Sequence, residues 1–247
     1  MKKTLLLALI FVTSIAYTHA QTQFIQSGKI EFEKKLNLQK EIEIAYPWFE
    51  NMKDKFPKFV TSYSNLSFRD GKTLYEKGKD SDTKVPFWFD DKNTEDVIYS
   101  DLEHGTFVKK QTVFDSKFLL SDSIRKINWR IFNETRDIAG FECRKAAGII
   151  MDSVYVIAFY TDQIPVSGGP LCFTNLPGMI LGIAIPRLNI TIMATKLELE
   201  TPKTDKLVPP PPGRLKKTDY KNFLSTLQKA MGDWGKGGQR NLVNFML

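Results

Sequence analysis

The stretch GPLCFTNLPGMILGI, residues 169–183, decides how the chain is read. Two Gly/Pro corners flank a cysteine and lead into an apolar run broken by one glycine. Upstream, Pro165, Gly168, Gly169 and Pro170 interrupt regular strand pairing and turn the chain. Leu176-Pro177-Gly178-Met179 then places Pro second and Gly third in a four-residue turn. That is the type II preference, because Pro presets φ and Gly accepts a positive φ. The turn is predicted to deliver the chain into a buried strand from Met179 to Ile185, with Gly182 marking a bulge or a close backbone approach.

The same stretch carries little chemistry. No acid, histidine, lysine or arginine stands between Gly169 and Ile183. Its only reactive side chain is Cys172, and a thiol nucleophile needs a base or a cation to lower its pKa. A glycine-rich phosphate loop must open a helix, whereas this one opens a strand. It reads as a structural corner built on Leu176, Pro177 and Gly178.

Working outward, GKIEFEKKLNL sets Ile30, Phe32, Leu36 and Leu38 on one face at period two, a half-buried strand. The following segment is less regular, with Pro47 placed to start a short helix and Pro57 to end it. Asp70-Gly71 between two alternating runs is a hairpin signal. Residues 78–96 form a long polar loop around Phe87, Trp88 and Phe89. Those aromatics either tuck into the core or form a ligand or partner edge. From Val97 to Tyr160 short strands with turn residues between them indicate an antiparallel meander. In NITIMATKLELE the apolar face moves by one residue after Ala194, from Ile190 and Ile192 to Leu197 and Leu199, which predicts a second bulge.

The first 20 residues, two lysines before an apolar core and then small residues up to Ala20, read as a secretory signal peptide. Residues 21–205 are expected to form the β domain and residues 206–247 a proline-rich linker with a C-terminal helix. In that helix Phe223, Leu227, Ala230, Met231 and Trp234 share a face, Thr218 is the expected N-cap and Gly235 the expected stop. No segment reaches the roughly 18 apolar residues of a transmembrane helix. Removing Lys2 and Lys3 with the leader lowers the formal charge from +7 to +5. The charges are interspersed rather than gathered in a basic arm, which argues against nucleic-acid binding.

The segments WRIFNETRDIAGFECRKAAG and YTDQIPVSGGP, followed by NLPGMILGI, closely resemble the GLPGLI family of secreted proteins from Bacteroidota. The resemblance runs from about Gly28 to Leu199 and is densest from Trp129 to Ile185. Asn175 stands where the family motif has its first Gly, and Met179 where it has Leu. The resemblance implies a secreted protein with this architecture, and it carries no catalytic residues or mechanism. Asp122-Ser123-Ile124 and Asp152-Ser153-Val154 resemble the short O-glycan acceptor pattern of Bacteroidota envelope proteins, which nominates Ser123 and Ser153.

Cys143 and Cys172 are the only cysteines, and in an oxidising compartment an even count points to a disulfide, with two free buried thiols as the alternative. Outside the leader, His104 is the only histidine. It reads as a turn residue before Gly105, too few ligands for zinc. Asp90-Asp91 and Glu95-Asp96 read as solvated loop acids rather than a catalytic pair. No cofactor fingerprint or metal spacing is present.

The expectation is a mainly β protein, an antiparallel curved sheet or open barrel with a C-terminal helix, in the periplasm or secreted. It would bind an apolar ligand in the sheet's concavity or dock on an outer-membrane protein, with Phe87, Trp88, Phe89 and Trp234 as contacts. An envelope hydrolase acting on glycan or peptide is the alternative.

Overall fold

The computed structural model describes residues 24–83, 85, 95–231 and 235–247. The leader and four nominated contacts, Phe87, Trp88, Phe89 and Trp234, lie outside the described residues.

The strands, in chain order, are β1 (Gly28–Asn37), β2 (Phe59–Arg69), β3 (Lys72–Lys77), β4 (Val97–Asp101), β5 (Thr106–Val113) and β6 (Ser116–Ser123). There follow β7 (Arg130–Ile138), β8 (Phe141–Ile150), β9 (Val154–Thr161), β10 (Met179–Ile185), β11 (Ile190–Glu198) and the short β12 (Lys216–Thr218). Helix α1 spans Leu38–Ala45, α2 Tyr220–Met231 and α3 Gly235–Phe245.

All described strands form one open sheet of 12, in the order β12-β6-β5-β4-β3-β2-β1-β11-β10-β9-β8-β7. Two antiparallel meanders, β1 to β6 and β7 to β11, are joined by β1 pairing with β11. The run from Val97 to Tyr160 is therefore not one meander: the chain leaves β6 near one edge and re-enters as β7 at the other. β12 adds to β6 in parallel, unlike the antiparallel pairs elsewhere in the sheet. At the opposite edge β7 carries a register irregularity between Ile131 and Thr135 and exposes most of its side chains, features that blunt edge-to-edge pairing.

Local chemistry sets these elements. Asp70 and Gly71 both take positive φ, 49° and 67°, the two-residue primed turn that matches strand twist. In the β1–β11 pair Glu31 faces Lys196 and Phe32 faces Ala194, so Thr195 is the extra residue. Its hydroxyl donates to the Glu31 carbonyl at 3.2 Å, and the shift sets Leu197 opposite Ile30. In the β9–β10 pair the register jumps between Ile180 and Gly182. The bulge reading of this glycine holds, whereas a Cβ there would meet side chains, the Met193 sulfur at 2.8 Å first, and not another backbone. Met179, Ile180, Leu181, Ile183 and Ile185 are at most 1% exposed, and burying each contributes ~2 kcal/mol.

Five expectations are corrected, three of them in the tail. The stretch after β1 is a helix from Leu38, capped by the Asn37 side chain accepting from Lys40 N–H at 3.1 Å. Its apparent alternation places Leu38 and Ile42 one turn apart and buried. A 3-10 segment, Pro47–Lys55, follows it. The Leu176–Met179 corner is not type II. Gly178 N–H donates to the Leu176 carbonyl at 2.8 Å, a γ-type closure, and Met179 N–H donates to Ile164 at 2.9 Å. Gly178 has φ 150°, and a Cβ there would sit 2.1 Å from the Thr161 carbonyl oxygen, so close approach to β9 is what demands glycine.

In the tail Asp219, not Thr218, caps α2 by accepting from Asn222 N–H at 2.7 Å. Gly235 begins α3 instead of ending the helical region. Phe223, Leu227 and Met231 are buried as expected, but Ala230 is exposed. Helix α2 packs on β6. Helix α3 is tied to α1 by Arg240, which is 9% exposed and donates to both the Glu41 carboxylate and the Arg187 carbonyl.

Candidate functional site: a cavity beneath the C-terminal helices

The 164–178 corner crosses the face of the sheet and fills it with Ile164, Leu171, Phe173 and Leu176, all at most 6% exposed. Polar ties hold it there. Trp129 Nε1 donates to the Thr174 carbonyl at 2.8 Å, and Asn175 Oδ1 accepts from Ile127 N–H at 3.1 Å. The stretch that decides the fold is thus a structural corner, and it also supplies one wall of a site.

Between that corner, strands β5 and β6, the start of α2 and residues 245–247 lies a cavity of ≈ 260 Å³. Phe107, Leu120, Ile127, Phe173 and Phe245 make it largely apolar. Six polar residues line it: Lys109, Asp122, Ser123, Arg125, Cys172 and Tyr220. Apolar walls with a few convergent polar groups are the usual make-up of a small-molecule site.

Two of those groups are tied up. Lys109 pairs with Asp96 at 3.0 Å, both side chains 3% exposed. Burial pushes the Asp96 carboxyl up, opposed by Lys109 and Lys34. Asp122 accepts from Tyr220 N–H at 2.9 Å and from Ser123 N–H at 2.7 Å. These hydrogen bonds, the one from Tyr220 foremost, hold its carboxyl below the usual range despite partial desolvation. Arg125 differs. Its Nη2 donates to the Tyr220 hydroxyl and, at 3.4 Å, to the Met246 carbonyl, and its guanidinium lies 4.7 Å from the Tyr220 ring centroid. Among the described residues no carboxylate pairs with it. Burial raises the Tyr220 phenol, with Arg125 opposing.

The thiols do not suit covalent chemistry. Burial pushes Cys172 up to about 11, against the lowering effect of Lys109 and Arg125, and Cys143 up to about 12. A protonated thiol is not a nucleophile. The expected disulfide is not formed. Both cysteines are free, Cys143 within β8 with its thiol donating to the Phe141 carbonyl and Cys172 on the cavity wall. His104 sits in the β4–β5 turn, 75% exposed, with Nδ1 3.0 Å from Asp101, and does not line the cavity. Among the described residues no three metal-ligating side chains converge. Of the acids expected to be solvated, Glu95 is exposed and pairs with Lys77 at 2.8 Å, Asp96 is instead buried against Lys109, and Asp90 and Asp91 lie outside the described residues.

Ser123 and Ser153 are both exposed. Ser123 lines the cavity beside Asp122, and Ser153, in the β8–β9 turn, accepts from Arg187 Nη1 at 3.0 Å. Sequence reasoning missed Lys109, Arg125 and Tyr220. Arg125 and Tyr220 stand 95 positions apart, with no local motif to link them. No helix among the described residues is long and apolar enough to cross a membrane.

A family model described as N-glycanase peptide, N-terminal domain, matches residues 74–220, more than half of the chain. Structures of PNGF-II in two crystal forms superpose with a TM-score of 0.53 at 16% identity, covering 83% of this chain and 34% or 33% of theirs. The chain spans about a third of the length of those chains. No curated protein matches it.

Proposed function

Since the chain belongs to the N-glycanase peptide N-terminal domain family, we propose that it is a non-enzymatic binding or accessory protein of that architecture, acting in the periplasm or outside the cell. Its site is the apolar cavity under the C-terminal helices, and its ligand is apolar or amphiphilic. The carrying observation is the pairing of an apolar cavity with an arginine, Arg125, that no carboxylate among the described residues neutralises. A secretory leader over residues 1–20 and a place in the GLPGLI family belong to the same proposal. Supporting the latter, Asn175 has φ 68°, a left-handed conformation that glycine favours and asparagine tolerates.

A hydrolase acting on glycan or peptide is the second reading, favoured by the N-glycanase in the family's description. Against it stand the protonated Cys172 and the distant, exposed His104. The test is to isolate the protein from its own envelope and compare native with denatured intact mass. A small added mass under native conditions alone supports the binding reading. A bare chain that turns over envelope glycopeptides overturns it.

A further inference from the structure

We infer that the cavity is a receptor for a single-tailed amphiphile with a carboxylate head, of about eight to ten carbons, with Arg125 as the head-group residue. The inference rests on the binding reading above and names the ligand class.

Arg125 lines both the cavity and a second groove. That groove adds Lys126 and Arg130 against one acid among its described lining, Asp152, so the surroundings of the guanidinium favour an anion. Within the cavity the acids are committed elsewhere, Asp122 to two backbone N–H groups and, beside the wall, Asp96 to Lys109. The guanidinium is the charge left over.

The donor inventory is specific. A guanidinium has five N–H donors in a rigid fork. Both acceptors that Arg125 has among the described residues, the Tyr220 hydroxyl and the Met246 carbonyl, sit on Nη2. Nε and Nη1 remain without an acceptor among the described residues. The guanidinium carbon also lies over the Tyr220 ring, 4.7 Å from its centroid, which restrains the fork. A planar two-oxygen head suits that fork. The pocket offers no second such cation, because Lys109 is already paired.

Size and lining set the tail. At roughly 30 Å³ for each water-sized group, ≈ 260 Å³ holds ~9 heavy atoms. The walls beneath the head are Phe107, Leu120, Ile127, Phe173 and Phe245, which offer no hydrogen bonds from their side chains to a sugar.

The test uses the full chain, stripped of bound lipid, in equilibrium dialysis against decanoate, decanol and decyltrimethylammonium. Decanoate is expected to bind at least tenfold tighter than decanol, and the cationic analogue weakest. Arg125→Met should bring decanoate to within threefold of decanol while leaving decanol unchanged, and Arg125→Lys should restore part of the preference. Equal binding of decanoate and decanol by the unmodified protein overturns the inference and leaves the cavity reading standing. Binding of none of the three overturns that reading as well. Decyl phosphate binding tighter than decanoate overturns the carboxylate assignment. Where Arg125→Met fails to fold, Tyr220→Phe asks the same question. It releases Nη2 and should tighten decanoate without changing decanol, and an unchanged decanoate affinity counts against the inference.

Discussion

The Asp122 carboxylate, at the end of strand β6, accepts the backbone N–H of Tyr220 at 2.9 Å across 98 positions of chain. It thereby caps the first residue of α2 from outside the helix, and it closes one side of the cavity. The first N–H groups of a helix have no partner within it, and a negative charge there is favoured by the helix dipole.

Asp122→Ala is accordingly expected to cost ~1 kcal/mol, the scale of a lost N-terminal cap. The pH dependence follows from the lowered carboxyl pKa in the folded protein. The stabilising contribution is complete above the usual carboxylate range, near about pH 4, and is lost as pH falls through the lower folded value. Urea midpoints measured down an acid series should fall more steeply in the unmodified protein than in Asp122→Asn. Identical slopes would show that this carboxylate plays no such part.

The two glycines at tight turns should respond unequally to alanine. Gly178→Ala places a Cβ 2.1 Å from the Thr161 carbonyl at φ 150°, and a loss of at least ~2 kcal/mol is expected from a strained, over-packed backbone. Gly105 has φ 63° and nothing within 4 Å of a built Cβ, so Gly105→Ala should cost only the left-handed penalty of ~1 kcal/mol. Chemical denaturation of both variants decides the ranking.

The buried pair Asp96–Lys109 should behave as a unit. Lys109→Met strands a carboxylate that is 3% exposed, at a cost of ~3 to 5 kcal/mol. Replacing both partners, Asp96→Leu with Lys109→Met, should recover a large share of that loss, because neither charge is then left buried alone. A double variant no more stable than Lys109→Met contradicts the pairing.

The thiols offer a reading of cavity occupancy. With pKa values raised to about 11 for Cys172 and about 12 for Cys143, native alkylation at neutral pH should be slow at both. As pH climbs, Cys172, which opens on the cavity, should react first, and decanoate should slow it without affecting Cys143. A mass two hydrogens short of the free-thiol value before any reagent is added would instead report a disulfide.

Much of the local structure was legible in the residues because short-range sterics dictate it. Asp70-Gly71 between alternating strands signalled a hairpin, and the structure makes it a primed turn. The one-residue slip after Ala194 fitted a bulge, given the period of two. Where two local readings compete, the residues alone mislead. Leu38 continues the strand period of Ile30, Phe32 and Leu36 until the Asn37 cap and the i, i+4 burial of Leu38 and Ile42 select a helix. Gly235 looks like a stop, yet α3 forms from it. Short helices take most of their stability from the packing of an apolar face, and Val243 and Phe245 are buried against the domain.

What the sequence determined by itself was the kind of protein: strand-rich, glycine-cornered, with no nucleophile or metal motif. The tertiary structure alone decided that β1 pairs with β11, splitting one apparent run of strands into two meanders. It alone brought Arg125, Tyr220 and Cys172 to one cavity. Propensity and period act over a few residues, whereas strand partners and cavity walls are chosen by burial between segments far apart in the chain. The charge on Arg125 is visible in any reading of the sequence, but that no carboxylate among the described residues pairs with it is a fact of packing.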